Sequence, residues 1–94
     1  MKKPEISFRY FDGSGPLSIY WHPGPYGIAV EAIKGSGVGW FSHPGDILGV
    51  EFDDVTFKAD NQTIEFKNGF CISIKVKQGK TTVNLHRSKR RKAA

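Results

Sequence analysis

The sequence predicts an all-β fold: a small antiparallel barrel or sandwich of about eight or nine short strands, followed by a basic C-terminal tail. Three observations predict it. No stretch of ten or more residues repeats its apolar positions with a helical period. Short runs with alternating apolar and polar residues recur along the chain, bounded by Gly, Pro, Asn and Asp. Turn dipeptides such as Asn68-Gly69 fall between these runs, where a tight antiparallel reversal needs them.

Taken in order, residues 5–11 place Ile6, Phe8 and Tyr10 on one face, and residues 17–22 do the same with Leu17, Ile19 and Trp21. Residues 27–33 offer Ile28, Val30 and Ala32, and residues 38–42 form a short aromatic piece around Trp40 and Phe41. Residues 47–52 and 54–59 read as two separate strands, carrying Leu48, Val50 and Phe52, then Val55 and Phe57. Residues 62–67 contribute Ile64 and Phe66. Residues 70–77 alternate most cleanly, with Phe70, Ile72, Ile74 and Val76 set against Cys71, Ser73, Lys75 and Lys77; residues 81–86 add Val83 and Leu85. Successive side chains on a strand point to opposite faces, so each run implies one buried and one wetter side. Asn68-Gly69 is expected to make a two-residue hairpin, with further turns at Asp60-Asn61 and Gln78-Gly79-Lys80, so that the last four runs form a meander. Two segments echo each other. Residues 11–24 and 33–45 both contain Gly-Ser-Gly, a short aromatic strand and His-Pro-Gly, which implies two similar turn–strand–turn units.

Ninety-four residues suffice for one domain, assigned to residues 1–86, with residues 87–94 as the tail. A body of this size buries roughly 60–70% of its unfolded surface, enough for a modest core without staples. Seven Phe, three Tyr and two Trp supply much of that core. Cys71 is alone, so no intramolecular disulfide forms, and a reducing, cytoplasmic location is expected. The first residues, Met1-Lys2-Lys3-Pro4-Glu5, lead into no apolar segment of signal-peptide type, and no run approaches a membrane span.

Charge divides the chain sharply. All nine acids lie in residues 1–66, alongside five bases; residues 67–94 hold nine bases and no acid. A strongly cationic segment of this kind points to a polyanionic partner, nucleic acid first. Lys67, Lys75, Lys77 and Lys80 are expected on the outer face of one hairpin and its next turn, continuing into Arg87, Lys89, Arg90, Arg91 and Lys92, so that one strip tracks a phosphate backbone. Phe11, Tyr20, Tyr26, Trp40 and Phe41 are the candidates for stacking on bases. The alternative is a protein-interaction module, an adaptor or inhibitor. It would be anchored by aromatic loops around Trp21, Tyr26, Trp40 and Phe41, or would pair edge strands with a partner or a second copy.

Catalysis is not expected. Ser14 and Ser36 sit in Gly-Ser-Gly rather than the Gly-x-Ser-x-Gly elbow, and Cys71 has no His close in sequence. His22, His43, His86 and Asp46 show none of the paired spacing of a zinc site, and Lys34-Gly35-Ser36-Gly37-Val38-Gly39 lacks the P-loop pattern. No metal or cofactor is therefore assigned. The acidic stretch Asp46, Glu51, Asp53, Asp54 lacks the spacing of a calcium loop and reads as a solvated strand edge or a docking patch for the tail.

Overall fold

A computed structural model describes residues 3–22 and 27–87. Eight strands follow in chain order: β1 (Glu5–Phe8), β2 (Ser14–Tyr20), β3 (Ile28–Glu31), β4 (Gly37–Phe41), β5 (Ile47–Thr56), β6 (Ala59–Glu65), β7 (Phe70–Lys77) and β8 (Lys80–Arg87). They form a five-stranded sheet in the order β1-β2-β5-β4-β3 and a three-stranded meander β6-β7-β8, with every pair antiparallel. The two sheets make a sandwich rather than a closed barrel. Among the described residues no helix is long and apolar enough to cross a membrane.

Alternation decides what is buried. The inward rows meet in one core that includes Leu17 and Ile19 of β2, Val50, Phe52 and Val55 of β5, Ile64 of β6, and Ile72, Ile74 and Val76 of β7. Among the described residues no polar or charged residue is fully buried with them. Away from the core the sheets also touch through backbone: Ile33 and Lys34 donate to the Glu65 carbonyl at 2.8 and 3.4 Å, and Glu65 N–H donates to the Lys34 carbonyl at 3.1 Å.

The structure corrects three details of the sequence reading. Residues 47–52 and 54–59 do not form two strands; β5 runs through Asp53 and Asp54 to Thr56. Both acids are exposed, which breaks the alternation, because the register with β2 shifts between Gly15 and Leu17. Two residues of β5 therefore oppose the single Pro16, a β-bulge placed where a residue without an N–H costs least. The turn expected at Asp60-Asn61 lies earlier, at Phe57 and Lys58, and Asp60 braces it from within β6. Its carboxylate accepts from Thr56 N–H at 2.8 Å and from Gln62 Nε2 at 3.0 Å. Asn68-Gly69, finally, belongs to a three-residue loop. Gly69 has φ +96° and donates to the Phe66 carbonyl at 2.9 Å, while Asn68 Oδ1 accepts from Phe70 N–H at 3.2 Å. The two-residue turns with positive φ are Asp12-Gly13 (59° and 94°) and Gln78-Gly79 (49° and 79°).

The two echoing segments lie side by side in the sheet but out of register: Gly37, the echo of Gly15, pairs with Phe52, as Leu17 does. Strands β2 and β4 flank β5 on either side, with Ile19 and Gly39 both paired to Val50, and Tyr20 and Trp40 both paired to Gly49. Tyr20 is thus the counterpart of Trp40, and Trp21 that of Phe41.

Candidate nucleic-acid interface

Three chain reversals distant in sequence converge at one end of the sandwich, and backbone hydrogen bonds tie them together. Phe57 N–H donates to the Gly13 carbonyl, Gln78 N–H to the Lys58 carbonyl and Gly79 N–H to the Phe57 carbonyl, each at 2.9 Å. The β1–β2 hairpin, the β5–β6 corner and the β7–β8 hairpin are consequently one rigid surface. Gly79 is required there: a Cβ at its position would collide with the Phe57 ring, which packs against the turn.

This end brings aromatic rings and cations together. Phe57, Tyr10 and Phe8 form an aromatic cluster, with Tyr10 and Phe57 centroids 4.4 Å apart and Phe8 and Tyr10 5.0 Å apart. That cluster supports the hairpin tip, where Tyr10 is 48% exposed and Phe11 88% exposed. The two rings stand together at the tip, side by side in the chain and both open to solvent. The cations come from the neighbouring turns. Lys58 is exposed in the corner, and Lys75, Lys77 and Lys80 are exposed on the outward row of the three-stranded sheet, with Lys77 paired directly to Lys80. Around them that face offers neutral hydrogen-bonding groups: Asn61 and Thr82 flank Lys75. Asp12, Asp53 and Asp54 are exposed as well. Asp60 is less free: burial pushes its carboxyl up, but hydrogen bonds from Thr56, Gln62 and Asn61 outweigh this and hold it below its usual range.

The expected continuous basic strip is not what the sheet builds. Lys67 sits in the β6–β7 loop, and Arg87 pairs with Phe70, its guanidinium 4.9 Å from the centre of that ring. Both lie at the far end of β7 and β8, roughly 25 Å from the Lys77–Lys80 turn for an eight-residue strand. Arg87 belongs to the row of Leu85 and Val83, opposite in direction to the lysine row, because alternation along β8 places it there. Lys89, Arg90, Arg91 and Lys92 lie outside the described residues, as does Tyr26.

The aromatic anchors expected for a protein partner are also corrected. Trp21 and Phe41 are core residues, 8% and 3% exposed. Each follows its outward-facing neighbour, Tyr20 or Trp40, by one residue and so points inward. Trp40 is half-buried, its ring 6.0 Å from that of Tyr20. His22 and His43 are both exposed. Among the described residues no three His, Cys, Asp or Glu side chains gather at a spacing that would hold a metal ion. Cys71 does acquire neighbours that its sequence context hides: Glu65 on β6 and His86 on β8 stand in the same row. Burial, then the charge of Glu65, push the thiol up, which is the opposite of what a nucleophilic cysteine needs.

Sequence reasoning named Phe11, Lys75, Lys77 and Lys80 but not Lys58 or Tyr10, and it did not bring them together. The signal is the convergence of three turns, which depends on sheet order. The chain matches no protein-family model, and comparison with curated proteins and with solved structures finds no significant match.

Proposed function

We propose that the protein is a non-enzymatic module that binds single-stranded nucleic acid at the end where its three turns meet. The observation that carries this reading is the joining of an 88%-exposed Phe11 to four exposed lysines, Lys58, Lys75, Lys77 and Lys80, through hydrogen-bonded turns. Phe11, with Tyr10 beside it, is the platform on which a base stacks, and the lysines hold the flanking phosphates. Stacking of this kind contributes about 1–3 kcal/mol per base and tolerates any base, so recognition favours unpaired strands over sequence. The cationic residues from Arg87 to Lys92 add sequence-independent grip.

Fluorescence anisotropy with labelled single-stranded and duplex DNA and RNA tests this. Phe11→Ala is expected to weaken single-strand binding by roughly five- to a hundredfold and to leave duplex binding nearly unchanged. Lys77→Gln is expected to reduce the salt slope by about 0.7 for a single strand. Equal single-strand affinity of Phe11→Ala and the native chain would remove the stacking platform from the account.

A further inference from the structure

We propose that the outer face of the five-stranded sheet is the docking surface for the chain's own C-terminal segment, residues 88–94. The face is built around one straight row of paired residues, Glu5, Tyr20, Gly49, Trp40 and Ala29, that crosses all five strands. Gly49 is the floor of that row. Any Cβ there would collide with the Tyr20 ring, which lies over Gly49 between the strands, and the Tyr20 and Trp40 rings sit 6.0 Å apart at 45°. Both are half-buried, and among the described residues no strand of the other sheet pairs over this face. The adjacent row supplies Glu51 and Glu31, joined by pairing through Val38. Among the described residues, the outward strand positions of this sheet thus hold four carboxylates, from Glu5, Glu31, Glu51 and Asp53, and no Lys or Arg, with two electron-rich rings among them. A guanidinium or ammonium group gains from both features at once, by ion pairing at the rim and by cation–π contact over the rings.

The segment that fits is Ser88-Lys89-Arg90-Arg91-Lys92-Ala93-Ala94, four cations in seven residues with no acid. Its point of departure also suits. The Arg87 guanidinium lies 4.9 Å from the Phe70 ring centre, and Phe70 lies 5.5 Å from Phe41, the residue next to Trp40 at the end of β4. Arg87, the residue before the segment, therefore stands at the end of the sandwich where Trp40 and Tyr20 lie. Seven extended residues reach about 25 Å, enough to pass the strand ends and cross a sheet onto its outer side. The lysines at the three-turn end, a strand length away, take no part in this contact, and a nucleic acid that engages the segment's own cations competes with it.

Two-dimensional NMR of the full chain is the test, comparing the native protein with a variant carrying Lys89→Gln, Arg90→Gln, Arg91→Gln and Lys92→Gln. At low salt the backbone resonances of Tyr20, Gly49 and Glu51 and the indole N–H of Trp40 are expected to differ between the two, while those of Lys75–Lys80 coincide. Raising NaCl from about 0.05 M to about 0.5 M is expected to move the native peaks onto the variant's positions, because screening weakens the ion pairs. A Glu31→Gln, Glu51→Gln background is expected to shrink the difference severalfold. Coincident spectra at low salt, or a difference of full size in that background, would overturn the proposal. So would a difference that grows with protein concentration, which would mean that the segment docks on a second copy.

Discussion

Asp60 shows how much one side chain does at a corner. Its carboxylate receives the Thr56 N–H and the Gln62 amide, and Gln62 Nε2 also reaches the Asp54 carbonyl at 2.7 Å, so three residues of the bend depend on one acceptor. The hydrogen bonds outweigh burial and leave the carboxyl below its usual range. A carboxyl lowered on folding stabilises the protein above its unfolded value, about 3.9, and that stabilisation is lost as pH falls through the lower folded value. Asp60→Ala is expected to cost about 1 kcal/mol at pH 7. Urea titrations at pH 7 and pH 3 should show this cost shrinking in acid. Thr81 illustrates the reverse case. Its hydroxyl is buried on the inward row of β8 and has no hydrogen-bond partner among the described residues. Thr81→Val removes an unsatisfied polar atom while keeping the shape, and is expected to raise stability by up to about 1 kcal/mol in thermal or urea unfolding.

At the scale of elements, the hairpins matter more than the strands for placing the candidate surface. Gln78-Gly79 holds the lysine hairpin in register and lets the Phe57 ring lie against it. Gly79→Ala meets two penalties together, a positive φ of 79° and a Cβ inside the van der Waals envelope of Phe57. It is expected to destabilise the fold by about 1–2 kcal/mol and to loosen the three-turn end before the core. Hydrogen exchange should show amides of Phe57, Gln78 and Gly79 opening first. The elements also show what a sequence can and cannot disclose. The strict alternation of Phe70, Ile72, Ile74 and Val76 is legible because a buried strand packed on one face has only one register. The continuity of β5 is not legible, since Asp53 and Asp54 look like a turn until Pro16 of another strand is placed opposite them. Trp21 and Phe41 look like rim aromatics because both sit next to His-Pro-Gly or Ser-His-Pro-Gly turns. Only the pairing of Tyr20 and Trp40 with Gly49 settles which of each neighbouring pair faces out.

Across the whole molecule, the sandwich separates charges that the sequence only divides in order. One outer face carries Glu5, Glu31 and Glu51 around two aromatic rings; the other carries Lys75, Lys77 and Lys80 toward a single end. The contrast between the two thirds of the chain was visible in the composition. Its division into poles was not, because Lys67 and Arg87 are near the other lysines in sequence yet a strand length away in space. The surface of Phe11, Lys58 and Lys77 is likewise assembled from turns dozens of residues apart, held by the core between them. Residue-resolved NMR, in which a short single-stranded oligonucleotide is titrated into the full chain, tests this most directly. The account predicts that the largest shifts fall on Tyr10–Ser14, Phe57–Lys58 and Lys75–Lys80 together, at one common affinity. Shifts confined to residues 87–94, with none at Tyr10–Ser14 or Phe57–Lys58, would contradict it.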